Sequence, residues 1–266
     1  MTIAPFTLED IEFDLVELEP ADLDALEGRV RWHLSTPYAI AIKSIFGEAL
    51  ISGMGTAIIH NGTGWIGERV MMPRFRGPEL EAELVTALVF ELRERGCTSC
   101  SVVITEDQRA HYEALGFKAD GIYVTYAGGK CEPPTLDEVE LFEPHHSMGV
   151  LHLDKQAYGE DRRALVSEHF YASRVFVSKG RVLGTYMPLL IDGLIVAENN
   201  FAGLELLRWH LPHVTEVTLP EGNAAAREFL QEREYTEQRR LLRMVHGPRV
   251  PWRPEMVYGW TSRTLG

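Results

Sequence analysis

The sequence predicts a mixed α/β fold laid down twice in tandem, each copy a mixed, mainly antiparallel sheet flanked by helices. Two observations carry that prediction. Within each half, strand-like apolar runs give way to helical periodicity, and hairpin strands joined to crossover helices imply a mixed sheet. The same order of elements then returns more than 100 residues later, a period that fits duplicated domains and not a solenoid. Between the copies, GGKCEPPTLDEVELFEP (residues 128–144) is polar, acidic and rich in Gly and Pro, and reads as a connector. The expected division is residues 1–130, a connector over 131–150, and residues 151–266.

Composition sets the outer bounds. The 266 residues are 45% hydrophobic and 24% charged, which excludes disordered, collagenous and low-complexity chains. One large or two small domains of this size bury a core without a disulfide or a metal. There are 26 Lys and Arg against 39 Asp and Glu, a net charge of −13. Such a surface repels phosphate backbones and anionic lipid, so neither nucleic acid nor membrane is the expected partner. A small-molecule substrate is expected, and a homodimer stays open. No run of 18 apolar residues predicts a transmembrane helix. The opening MTIAPFTLEDIEFD lacks the apolar core of a signal peptide, and three cysteines fit a reducing cytoplasm.

The elements follow in order. Pro20-Ala21-Asp22 marks a helix start, and the amphipathic pattern continues through Val30. Strands are expected at Tyr38–Lys43, Ala49–His60 and Trp65–Met72, with the Asn61-Gly62 pair suiting a tight hairpin. Leu80, Leu84, Ala87, Leu88 and Leu92 make one apolar helical face, closed by Gly96. A strand at Cys100–Ile104, a short helix at Asp107–Leu115 and a strand at Phe117–Tyr126 complete the first half. The second half reads as a helix over Arg162–Ser173, then strands at Ala172–Val177, Val182–Leu190 and Gly193–Ala197. A helix at Phe201–His210, a strand at Val214–Leu219, a helix at Ala224–Arg233 and a strand at Gln238–Val245 follow.

Two linked stretches make the first half resemble a GNAT-type N-acyltransferase. One runs from Gly64 through Trp65, Glu68, Val70, Met71, Met72, Pro73, Arg74, Phe75 and Arg76 to Gly77. It is similar to that family's central strand and its V-x-P-x-(F/Y)-R-G acyl-CoA loop. The other, Thr105 through Tyr112, Leu115 and Gly116 to Phe117, is similar to the family's Y-x-x-L-G-F segment. The second half resembles, more loosely, the divergent GNAT domain that follows the first in some tandem bacterial members. Asp154 to Arg162, Arg243-Met244 with Gly247, and Asn223-Ala224-Ala225-Ala226 carry that likeness.

The resemblance implies acyl transfer, with acetyl as the expected group, from a CoA thioester to an amine or similar nucleophile of a small molecule. Backbone near Val70, Met71 and Met72 would hold the pantetheine arm. Arg74, Arg76, Gly77, Pro78 and Leu80 would form the pyrophosphate loop, where helix N–H groups and the dipole favour an anion. Tyr112 would protonate the departing thiolate, and Glu68 would take the proton of the amine. No metal is expected.

Read from the residues alone, alternatives stay open. Glu79 and Glu81 stand where the family has small residues. They either crowd the phosphates or simply suit a helix N-terminus, where carboxylates are favoured anyway. Tyr112 also fits a packed core tyrosine with a satisfied hydroxyl. Glu68 faces the cleft or water according to strand phase. His60, one strand earlier, is the other available base, but beside the Asn61-Gly62 turn it reads more readily as an exposed hairpin residue. Cys97 and Cys100 read as core thiols, and His145-His146 lacks the partners of a metal site. The second half has no Arg-Gly loop between Val196 and Leu204 and places Leu230 at the tyrosine position, so it reads as a non-catalytic wall. The tail with Trp252, Tyr258 and Trp260 docks on the body or lines the cleft. The alternative function is a GNAT fold that has lost acyl-CoA binding. It would bind a small ligand, or run other chemistry, between the halves.

Overall fold

The computed structural model describes residues 2–13, 20–47, 50–134 and 138–266. The chain runs β1 (Thr2–Pro5), α1 (Leu8–Phe13), α2 (Pro20–Ser35), β2 (Ala39–Phe46), β3 (Leu50–His60), β4 (Thr63–Met71), α3 (Pro78–Glu94), β5 (Ser99–Ile104), α4 (Arg109–Ala114) and β6 (Lys118–Gly128). It continues through β7 (Val139–Leu141), α5 (Ser147–Tyr158), α6 (Arg163–Ser167), β8 (Arg174–Ser178), β9 (Arg181–Met187), β10 (Leu194–Ala197), α7 (Asn200–His210), β11 (Glu216–Pro220), α8 (Ala224–Gln231), β12 (Tyr235–His246) and β13 (Val257–Gly259). The start expected for β3, Ala49, and part of its turn, Glu48, lie outside the described residues, as do the acidic positions 14–19.

Local chemistry accounts for most of these elements. The β3–β4 hairpin turns at Asn61 (φ 36°) and Gly62 (φ 101°), the left-handed pair that such a two-residue loop needs. Helix α3 buries Leu84, Val85, Leu88, Val89 and Leu92. It lies so close to the sheet that a Cβ on Gly64 would come within 2.6 Å of Leu92. One helix departs from expectation. In place of Arg162–Ser173 there are two helices, α5 and α6. Val150, Leu153, Ala157 and Tyr158 form the buried face of α5, and Gly159 in the left-handed region ends it. The expected connector therefore holds the first turn of α5, and also β7, which pairs with β8.

Strand pairing ties the halves together. One sheet has the order β1-β2-β3-β4-β5-β12-β6-β11, the other β13-β10-β9-β8-β7. Strand β12 lies between β5 and β6 and is antiparallel to both, while β11 pairs with the free side of β6. Two second-half strands thus complete the first-half sheet through backbone hydrogen bonds. The largest core cluster is shared as well, joining Ile58, Trp65 and Tyr123 to Leu153, Met187, Val257 and Trp260.

Beneath that shared core lies a buried charge cluster. The Arg162 guanidinium donates to both oxygens of Asp154 (3.2 and 2.7 Å) and to the carbonyl of Gly266 (2.7 Å). It also stacks on the Tyr158 ring at 3.4 Å. Arg243 sits 3.2 Å from Asp120 and 3.7 Å from Glu160, whose second oxygen accepts from the Trp65 indole at 2.8 Å. The positions singled out in the sequence, Asp154 to Arg162 and Arg243, are therefore the ionic part of the seam between halves. Among the described residues no helix is long and apolar enough to cross a membrane.

Candidate active site

The site begins with a fault in β4. Gly67 and Glu68 together oppose the single residue Thr56 on β3, a bulge in the register, and the Glu68 N–H donates to the Thr56 hydroxyl at 2.9 Å. A bulge bends and twists its strand. Accordingly β4 pairs with β5 only over Thr63–Ile66 and then leaves it. The fork that opens is bridged by Arg69, which donates to the carbonyls of Gly67 (2.6 Å) and Val103 (3.3 Å).

A cleft of 450 Å³ occupies this fork and the start of α3, lined by Arg69, Val70, Met71, Arg76, Gly77, Glu81, Gln108 and Arg263. Gly77 precedes α3 without capping it through a side chain, and a Cβ there would meet nothing within 4 Å. The first N–H groups of the helix are thus uncapped at a spot with room for an anion. Three guanidiniums face one carboxylate. Charges at 4 Å interact by about 1–4 kcal/mol in a solvated cleft, so three attractions outweigh the repulsion from Glu81.

The other expected cofactor residues are placed as follows. Met72 is buried in the small N-terminal core with Phe6, Leu26 and Met54. Arg74 lies over the Phe75 ring at 5.4 Å. Pro78 is exposed and Leu80 half-buried in the first turn of α3.

Tyr112 is fully buried and joins the core with Leu84, Val85 and Leu88. Its hydroxyl donates to Glu81 at 3.2 Å, and Arg69 lies over its ring at 5.8 Å. Burial pushes its pKa up to about 12, against the pull of Arg69. The ring thus packs in the core, and the hydroxyl is joined to the cleft through Glu81, which lines it.

Glu68 lines a second cleft of 400 Å³ and is held by Arg29 of α2 at 2.5 Å. The two clefts share Arg69 and Arg263. Sequence reasoning missed Arg29, Arg69, Gln108, Asp192 and Arg263. Arg69 and Gln108 lie inside the two quoted stretches, but Arg29, Asp192 and Arg263 come from remote elements and carry no local signal.

His60 corrects an expectation. It is buried, not exposed, and its Nε2 faces the Leu265 carbonyl at 3.2 Å. The chain's last residues fold over the hairpin and exclude water. Burial, reinforced by Arg162, lowers its pKa to about 3. Cys97 and Cys100 are buried free thiols, and burial raises the Cys100 pKa to about 12. His146 accepts from the Glu143 N–H at 3.0 Å and serves a helix cap.

The second half has the corresponding fork between β10 and β11, and its own tail fills it. Strand β13 pairs with β10, and the Trp260 N–H donates to Thr218 of β11 at 2.9 Å. At the start of α7, Asn199 accepts the Ala202 N–H (3.0 Å), and the Tyr258 hydroxyl donates to Asn200 (2.7 Å). Asn223 caps α8 and donates to the Val257 carbonyl at 2.9 Å, which fixes β13. Leu230 is buried core.

Comparison with solved structures gives the class to which this architecture belongs. A presumed acetyltransferase from Pyrococcus horikoshii superposes with a TM-score of 0.80 at 18% identity, covering 100% of this chain and 95% of that one. A tandem GNAT protein from the clavulanic acid biosynthesis pathway gives 0.61 at 12% identity, over 93% and 99%. A GCN5-related N-acetyltransferase from Sphaerobacter thermophilus gives 0.59 at 14% identity, over 99% and 98%. The chain has the tandem GNAT fold. No family model and no curated protein matches its sequence.

Proposed function

We propose that the protein is an acyltransferase of the GNAT type, with donor chemistry confined to the first half. The observation that carries this reading is the net-positive cleft at the start of α3, where Arg69, Arg76 and Arg263, against Glu81 alone, line the space beside an uncapped helix N-terminus. A CoA thioester supplies an activated acyl group when bound. Arg76, Gly77 and the α3 N–H groups would hold its phosphates, and the free edge of β4 at Val70 and Met71 its arm. Acetyl is the acyl group proposed.

The acceptor would lie in the adjoining 400 Å³ cleft. Its amine forms the new C–N bond as the C–S bond breaks. Glu68 takes the nitrogen's surplus proton, and Tyr112 offers its hydroxyl proton to the departing sulfur. The second half acts as a wall, since β13 occupies its fork.

A second reading has its own support. Glu81 accepts the Tyr112 hydroxyl, and Arg69 spans the fork by two carbonyl contacts. Both features suit a protein that has given up acyl-CoA and binds another ligand. Titration calorimetry with acetyl-CoA decides. Binding that Gly77→Asp abolishes supports the transferase; no binding at millimolar acetyl-CoA removes it.

A further inference from the structure

The 400 Å³ cleft has an unusual charge arrangement. Arg29 and Glu68 neutralise each other. Arg69, half-buried, is engaged by the Gly67 and Val103 carbonyls, which leaves two exposed charged groups, the Asp192 carboxylate and the Arg263 guanidinium; among the described residues neither is in an ion pair. They do not compensate each other either. The charged neighbours of Asp192 are Arg239, Glu216 and Arg29, and those of Arg263 are Arg69, Glu68 and Arg239, with Tyr112 beside it; neither is among the other's. One carboxylate and one guanidinium outside any ion pair thus share a single small cleft.

A smaller pocket of 220 Å³ opens from the same place, sharing Arg29, Ile191 and Thr264 with it. Its walls include Trp32, Leu189, Ile191 and Leu265. Leu189 and Ile191 are 55% and 47% exposed, large apolar side chains left uncovered beside a charged cleft. Sites of a few hundred cubic ångströms hold small molecules, and their few polar groups fix orientation. A ligand matching these walls carries an anion, a cation and an apolar group on one short skeleton.

We infer that the acceptor is an α-amino acid with an aromatic or large aliphatic side chain. Its carboxylate sits against Arg263, its ammonium against Asp192, and its side chain in the Trp32 pocket. Acceptor status rests on the transferase reading; the binding site itself does not. As an acceptor, the bound ammonium first loses one proton to solvent. Its nitrogen then forms the amide as the C–S bond breaks, a second proton leaves to Glu68, and the sulfur departs as a thiolate hydrogen-bonded by Tyr112 and takes its proton from solvent.

The test uses the full chain without any acyl-CoA and four probes in titration calorimetry: L-phenylalanine, glycine, phenethylamine and 3-phenylpropanoate. L-Phenylalanine is expected to bind at least tenfold tighter than each of the others. Arg263→Gln should erase its advantage over phenethylamine, and Asp192→Asn its advantage over phenylpropanoate. Both side chains are exposed, so the variants should melt at the wild-type temperature. L-Phenylalanine binding no tighter than either truncated probe, or none at ~10 mM, overturns the inference. If acetyl-CoA binds but L-phenylalanine does not, the transferase reading survives alone. If L-phenylalanine binds in the stated pattern and acetyl-CoA does not, the amino-acid site stands and the transferase reading falls.

Discussion

The hydroxyl of Tyr112 donates to the carboxylate of Glu81 across 3.2 Å, joining the candidate acid to the one carboxylate that lines the 450 Å³ cleft. A phenol held near pKa 12 stays protonated at neutral pH, as an acid must. A thiol titrates near ~8.5, so complete proton transfer to a thiolate runs uphill by ~5 kcal/mol. In the proposed reaction Tyr112 would therefore act mainly by donating a hydrogen bond that strengthens as the sulfur gains charge. Tyr112→Phe should lower kcat about 10²-fold, the low end for such catalysis, with acetyl-CoA affinity preserved. An unchanged kcat removes the role.

Glu81 would oppose the anion that the acyltransferase reading places in the cleft. Glu81→Gln keeps an acceptor for Tyr112 and removes the charge. Relief of about 1 kcal/mol of repulsion should tighten acetyl-CoA roughly fivefold at low salt. The helix N-terminus loses a favourable carboxylate worth about 0.3–1 kcal/mol, so a slightly lower melting temperature should accompany the tighter binding. Weaker binding would mean that Glu81 assists the donor.

The buried pair Asp154–Arg162 should be costly to break. Both side chains are almost fully enclosed, so Asp154→Ala strands a guanidinium without water. Chemical denaturation should show a loss of about 3–5 kcal/mol. A loss below 1 kcal/mol would mean that water reaches the seam.

The plugged fork predicts tight packing. A Cβ on Gly203 would come within 2.3 Å of the Tyr258 ring. Gly203→Ala should destabilise by about 1–3 kcal/mol through overpacking, with acetyl-CoA binding in the first half unaffected. A coupled loss of acetyl-CoA affinity would assign β13 a role beyond filling its own fork.

His60 makes stability depend on pH. Its folded pKa, about 3, lies below the unfolded value near 6.5. Between those values the unfolded chain binds the extra proton. Stability is therefore complete above pH 6.5 and falls as the pH drops toward 3. At pH 5 the loss from this group is about 2 kcal/mol. His60→Gln keeps a donor for the Leu265 carbonyl and does not titrate, so urea unfolding should show a flatter slope between pH 7 and pH 5. Parallel slopes would show that His60 is reached by solvent.

Much of the donor cleft was legible along the chain because its parts are local. The stretch from Gly64 to Gly77 encodes strand, bulge and helix start within fourteen successive positions, and α3 declares itself by its apolar face. Tyr112 stands at a fixed place before Gly116 and Phe117. Other features have no local signature. His60 is buried only because Leu265 arrives from 205 residues away. The β10–β11 fork is filled only because a tail rich in Gly and Pro, with a strand of just three residues, docks as β13. The helix α5 was hidden by the acidic connector before it.

The sequence by itself determined the alternation of strands and helices, the duplicated plan and the chemistry offered beside Gly77, since periodicity and turn residues act over a few neighbours. Only the tertiary structure decided that β12 completes the first-half sheet, and that Arg263 and Asp192 meet Glu68 in one cleft. Strand partners and remote charges are chosen by the burial of whole faces, a property of the assembled core that short stretches of chain do not contain.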